Sequence, residues 1–184
     1  MLETREAATR PRRSRLLGIC YLLYFVLAIS SALFTLPGVA AIGLALSLTS
    51  TVLYAIVAVL FYLAFKPVDK SIAATAAVLG VAGCVITIFN DFGFAPASAP
   101  LLAFGPFCIV IGILILRSTI VPWAFGVLMV AAGICWLAFL VPPVASALAA
   151  PIKIVGFVSE LALMVWLLVA GIEMRAPDAP AGER

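Results

Sequence analysis

Six long apolar runs, separated by short polar or Pro/Gly-rich breaks, leave this chain few ways to fold. A helix needs about 20 apolar residues to cross a hydrocarbon core about 30 Å thick. Runs at 16–35, 43–65, 71–90, 100–116, 121–141 and 152–173 meet or approach that length. The breaks are clear. Pro37-Gly38 follows the first run, KPVDK (66–70) the second and NDFGFAPASAP (90–100) the third, while RSTIVP (117–122) and PPVASALAAP (142–151) follow the fourth and fifth. Pro122 and Pro151 suit first-turn positions, where a missing N–H costs nothing. Composition then chooses lipid over water as the solvent. Of 184 residues, 66% are hydrophobic and 10% charged, and a soluble domain of this size cannot hide so much apolar surface. The expected fold is all-α: a polytopic membrane protein whose residues 16–173 form a six-transmembrane-helix bundle. A basic arm at 1–15, expected to be disordered, precedes it, and a tail at 174–184 follows.

The basic residues set the expected orientation. With the N-terminus inside, the arm, residues 66–70, residues 117–120 and the tail hold ten of the eleven, and Lys153 alone falls outside. That is a positive-inside pattern. Both termini are therefore expected in the cytoplasm, with the bundle in a cell inner (plasma) membrane and the lipid bilayer as its first partner. The arm holds Arg5, Arg10, Arg12, Arg13 and Arg15. It reads as a solvated anchor against anionic headgroups, so no nucleic-acid partner is expected. The first apolar run exceeds a usual signal-peptide core and is followed by further membrane segments, so it is expected to be retained.

Several chemistries find no support. Cys20, Cys84, Cys108 and Cys135 all lie within apolar runs without a C-x-x-C pair, and histidine is absent. The commonest zinc, haem and general-base residue is thus missing. No catalytic residue, metal or cofactor is assigned. Ala28 and Ala32, Ala73 and Ala77, Gly105 and Gly112, and Gly126 and Gly133 read as close-packing faces.

The polar residues inside the runs carry the functional question. Glu160 lies within GFVSELALMVWLLVAG (156–171), and ionisable groups within membranes commonly face a bundle interior or a water-filled path. Thr51 shares its expected depth, with Ser47 and Tyr54 on the same helix. Ser30, Asn90 and Asp91 lie near the outer ends of the first and third helices. Tyr21, Tyr24, Tyr62 and Thr75 populate the inner half. Lys153 is seven residues from Glu160, but helix side chains lean toward the N-terminus, so no intrahelical salt bridge is expected. Two readings follow. In one, Glu160, Thr51, Asn90, Asp91 and Ser30 line a ligand pocket in the outer half. In the other, the hydroxyls bond their own backbone and Glu160 satisfies one interhelical hydrogen bond.

At the inner side, Arg117, Ser118 and Pro122 form an interface motif, with the cation beside the last carbonyls of the fourth helix. The stretch ILRSTIVPWAFGVLMVAAG (115–133) resembles a bacterial integral-membrane family known as domain of unknown function 4386, through Arg117, Ser118, Pro122, Gly126, Val127, Leu128, Ala132 and Gly133. SELALMVWLLVAGIE (159–173) is similar to that family's closing segment, FKPVDKSIA (65–73) to one of its turns and RLLGICYLL (15–23) to its opening. Polar residues associated with the family's second helix are not evident here, and Ala170 stands where the family often has Lys. The resemblance implies the six-helix topology and no known reaction. Three functions remain. The first is small-molecule binding or transport, and the second a structural or accessory subunit packing on another copy or a membrane partner. The third is a membrane enzyme on a lipid-like substrate, which has the least support because no catalytic constellation is present.

Overall fold

The computed structural model describes residues 13–34, 36 and 38–173. Most of the basic arm and the tail after 173 lie outside the described residues. The elements are β1 (Arg13–Ser14), α1 (Leu16–Leu33), α2 (Ala40–Phe65), α3 (Lys70–Asp91), α4 (Leu101–Leu116), α5 (Trp123–Ala138), α6 (Pro142–Ala170) and β2 (Ile172–Glu173). The fold is all-α apart from an antiparallel two-residue ladder that pairs Arg13 with Glu173 and Ser14 with Ile172. Arg13 and Ser14 therefore hold a fixed backbone partner, contrary to the expectation of disorder through residue 15. Once α1 lies against α6, the ladder lets these backbone groups satisfy each other.

The six helices fall close to their expected limits, except that α6 begins ten residues early. Pro142 and Pro143 open it at first-turn positions, where they donate no needed bond. The helix then breaks at Leu148 (φ −122°, ψ 21°). Pro151 sits in the first turn after that break, so its missing N–H is again harmless. At the other end Gly171 turns the chain at φ 67°, a left-handed value that glycine adopts without steric cost. Residues 171–173, expected to continue the helix, instead leave it for the ladder.

Each helix packs on the next, and α6 returns to α1, giving a closed ring of neighbours. Both ends of the described chain, the α2–α3 connection and the α4–α5 connection share one end, the terminal end. The α1–α2, α3–α4 and α5–α6 connections share the other, the distal end. The α4–α5 seam is built on glycine. A Cβ at Gly112 would stand 2.7 Å from the Gly126 carbonyl oxygen, and one at Gly133 would stand 2.5 Å from that of Gly105. The two glycine pairs read from the sequence face each other across this seam. Ala73 is buried as expected, whereas Ala32 is exposed because it lies on the outward side of α1.

The interior is aromatic and aliphatic, with Tyr21, Phe61, Phe65, Phe107, Ile111, Leu114, Met129 and Leu163 wholly enclosed. The outside is also apolar: Val52, Val78, Ile134, Ile154 and Val169 are all exposed. Four helices, α1, α2, α3 and α6, are long and apolar enough to cross a membrane. The other two, α4 and α5, have 16 residues each, which is about 24 Å at the α-helical rise.

Candidate functional site

Two polar centres lie inside the ring, where depth along the helices suggests a single one. The first is a cavity of about 160 Å³ among α1, α2, α3 and α4. Helix α2 supplies one wall at helical spacing with Ser47, Ser50, Thr51 and Tyr54. Tyr24, Ala28 and Ser31 come from α1, Cys84 and Thr87 from α3, and Phe104 from α4. Most of these positions lie in the distal half of their helices, with Tyr24 and Tyr54 near the middle.

The serine and threonine hydroxyls in this cavity are already engaged. Ser31 donates to the Ala28 carbonyl at 2.8 Å, and Ser50 and Thr51 donate to the Ser47 carbonyl at 2.8 and 2.9 Å. Thr87 donates to the Gly83 carbonyl at 2.9 Å. Ser47 donates to Asp91 Oδ2 at 2.7 Å, joining α2 to the end of α3. The phenol oxygens of Tyr24 and Tyr54 have no hydrogen-bond partner among the described residues. No enclosed side-chain oxygen lacks a partner there, so these two open onto accessible space. Their rings lie 4.6 Å apart between centroids, and Tyr54 meets Phe104 edge-on at 5.0 Å.

The second centre surrounds Glu160. Tyr21 on α1 donates to Oε2 at 3.0 Å, and the Trp136 indole on α5 donates to Oε1 at 3.1 Å. Cys108 Sγ on α4 stands 3.9 Å from the same Oε1. An indole N–H can only donate, so Oε1 is an acceptor here. Glycine makes this arrangement possible. A Cβ at Gly156, one turn before Glu160, would strike the Trp136 ring, and one at Gly18 would stand 2.5 Å from the backbone of Leu168. The first glycine admits the indole and the second lets α1 approach α6. Tyr21 in turn packs on Tyr24, Tyr54 and Phe61 with centroids 6.0–6.1 Å apart. An aromatic layer thus stands between the cavity and the carboxylate.

Of the five residues expected to share a pocket, only Thr51 lines the cavity. Asp91 touches it through Ser47. Asn90 donates to the Ala95 carbonyl at 2.9 Å and closes the α3–α4 connection, and Ser30 donates to Val26 within its own helix. Glu160 faces Tyr21 and Trp136 because the main neighbours of α6 are α1 and α5, and Cys108 reaches it from α4. Among the described residues no ion pair joins it to Lys153, whose Nζ lies 5.6 Å from the Phe139 ring centroid. Reasoning by depth overlooks Tyr21, Trp136 and Cys108. The wall of α2 is the legible part, because its hydroxyls recur at i, i+3, i+4 and i+7.

At the terminal end, Arg117 ends α4 and Ser118 donates to the Ile115 carbonyl at 3.1 Å. Pro122 precedes the first residue of α5, Trp123, which is exposed. Arg117 has a partner the sequence does not suggest. Asp69 caps α3 by accepting from the Ser71 and Ile72 amides, each at 3.0 Å, and its other oxygen lies 3.8 Å from Arg117.

The motif around Arg117 and the closing segment around Glu160 lie in the portion of the chain where a family match is found. Residues 97–171 match the family described as Domain of unknown function (DUF4386). This is the family that those two stretches resemble. The DUF4386 match takes in α4, α5 and α6, hence Cys108, Trp136 and Glu160. Most of the cavity, Tyr21 and the stretches at 15–23 and 65–73 lie outside it. No curated protein and no solved structure matches the chain.

Proposed function

We propose that this chain is a six-span membrane protein that binds a small molecule, or passes one across the bilayer, through the cavity among α1, α2, α3 and α4. Both termini lie on the cytoplasmic side of the plasma membrane in this reading, because ten of the eleven basic residues then fall inside. The cavity then belongs to the outer half. The observation that carries the reading is the cavity itself. Its volume of about 160 Å³ is close to that of an enclosed site able to hold one benzene-sized molecule. Tyr24 and Tyr54, whose phenols have no hydrogen-bond partner among the described residues, line it, and convergent polar groups in a concave site fix a ligand's orientation.

Thermal unfolding of the purified protein in nanodiscs tests this against a panel of benzene-sized and smaller molecules. The expected result is stabilisation by some members and not others, abolished when Thr87→Leu fills the cavity. If Thr87→Leu folds and keeps every ligand effect, the cavity is not the site.

A structural or accessory role is the second reading, and one observation favours it. Glu160 is satisfied wholly within the chain by donors from α1, α4 and α5, as a tie between helices would be. The two readings concern different centres and are separable by substitution at each.

A further inference from the structure

We infer that the cavity recognises a small protonated amine. This rests on the small-molecule reading above and names the chemistry of its ligand.

Hydrogen-bond accounting carries the argument. A hydroxyl has one hydrogen to donate and two lone pairs to offer. A carbonyl oxygen has no hydrogen, so in each hydroxyl–carbonyl pair the hydroxyl must donate. Ser31, Ser50, Thr51 and Thr87 have committed their hydrogens in this way. Ser47 has committed its own to the Asp91 carboxylate. All five therefore have only lone pairs left to offer a ligand in the cavity they line. The phenols of Tyr24 and Tyr54 can donate or accept. The cavity is an acceptor surface, and the complementary ligand is one that donates several hydrogens from one atom. An ammonium group has three.

Charge and aromaticity point the same way. No basic side chain lines the cavity, and two carboxylates stand behind its lining: Asp91, one hydrogen bond behind Ser47, and Glu160, behind the Tyr21 ring that packs on Tyr24 and Tyr54. The Asp91 carboxylate makes the Ser47 oxygen a better acceptor, since bonds in a chain polarise one another. Tyr24, Tyr54 and Phe104 form one contiguous aromatic wall, and ring faces attract ammonium ions. An anion would have only the two phenols as side-chain donors and would otherwise meet lone pairs. A neutral alcohol would use the phenols and leave most acceptors unmatched. The volume limits the ligand to about six heavy atoms.

The test is calorimetric titration of the protein in nanodiscs with three matched probes: n-butylammonium, 1-butanol and butyrate, at one ionic strength. Butylammonium is expected to bind about tenfold more tightly than butanol, or better, with butyrate not binding. Asp91→Asn should weaken butylammonium about tenfold and leave butanol unchanged. Where Asp91→Asn does not fold, Ser47→Ala cuts the same link and should show a smaller loss for the ammonium alone. Equal binding of butanol and butylammonium, both lost in Thr87→Leu, would overturn the cationic ligand and leave the small-molecule reading standing. Butylammonium binding that survives Thr87→Leu would place it outside the cavity and overturn the inference. Absence of all binding would overturn it too, and the wider panel above then decides the small-molecule reading.

Discussion

Tyr21 and Glu160, 139 residues apart, share a 3.0 Å hydrogen bond that joins the first helix to the last. Tyr21→Phe removes the donor to Oε2 and should cost about 0.6–3 kcal/mol, the range spanned by interhelical bonds in membranes and by newly unsatisfied groups. Glu160→Gln should cost less. Its amide oxygen still accepts from Trp136 and its NH₂ can donate to the phenol. Denaturant titration in detergent of both single variants and the double variant completes a double-mutant cycle. If Tyr21→Phe and Glu160→Gln prove strictly additive, the bond contributes nothing.

The glycine seam should tolerate almost nothing larger. At Gly112 the obstacle is the Gly126 carbonyl, part of the backbone, so it cannot swing aside as a side chain would. Gly112→Val is expected to lose about 1–3 kcal/mol or more, the usual range for overpacking. Val127, beside Gly126 but exposed on α5, supplies the control. Val127→Ala should change the unfolding midpoint little, and a loss there equal to that of Gly112→Val would remove the special status of the seam.

Asp69 should matter more as a helix cap than as an ion-pair partner. Asp69→Ala removes the acceptor for two amides and should cost about 1 kcal/mol, while Asp69→Asn retains the cap and most of the stability. Arg117 is 58% exposed, and exposed pairs contribute about 0–1 kcal/mol. Arg117→Gln is therefore expected to shift unfolding by less than Asp69→Ala, and the ranking should persist at high salt. A larger loss from Arg117→Gln would reverse the assignment.

Orientation can be read with single cysteines placed in a chain whose four natural ones are replaced. Ser98 lies in the α3–α4 connection at the distal end, and Pro67 in the α2–α3 connection at the terminal end. An impermeant maleimide added to intact cells should label Ser98→Cys and spare Pro67→Cys. The opposite pattern would invert the proposed topology.

Local chemistry makes the helices and their seams legible. Prolines and glycines mark where helices stop, and Gly105, Gly112, Gly126 and Gly133 signal a close crossing before their partner is known. The site is less accessible, for a geometric reason. Depth along a helix can be counted from residue numbers, but the identity of the neighbour cannot. Counting residues gives Glu160 and Thr51 the same expected depth, yet the ring order puts α1 and α5 beside α6. Tyr21 and Trp136 also read as ordinary aromatic packing, since nothing in a tyrosine or tryptophan reveals which carboxylate it will meet. The opening of α6 is hidden differently. Pro142-Pro143 punctuates a sequence equally well as a loop or as a first turn, and only the backbone distinguishes them.

Closure of the ring by its first and last helices imposes an order on biogenesis. Tyr21 enters the membrane before its partner has been translated, and at about 5–20 residues per second the separation of 139 positions takes roughly 7–28 s. During that interval α1 has only α2 and later arrivals for company, and its phenol has no carboxylate to meet. The insertion machinery or surrounding lipid must shelter that open flank until α6 arrives. The final helix is thus also the lock, and a chain stalled before it would be left with an unsealed edge.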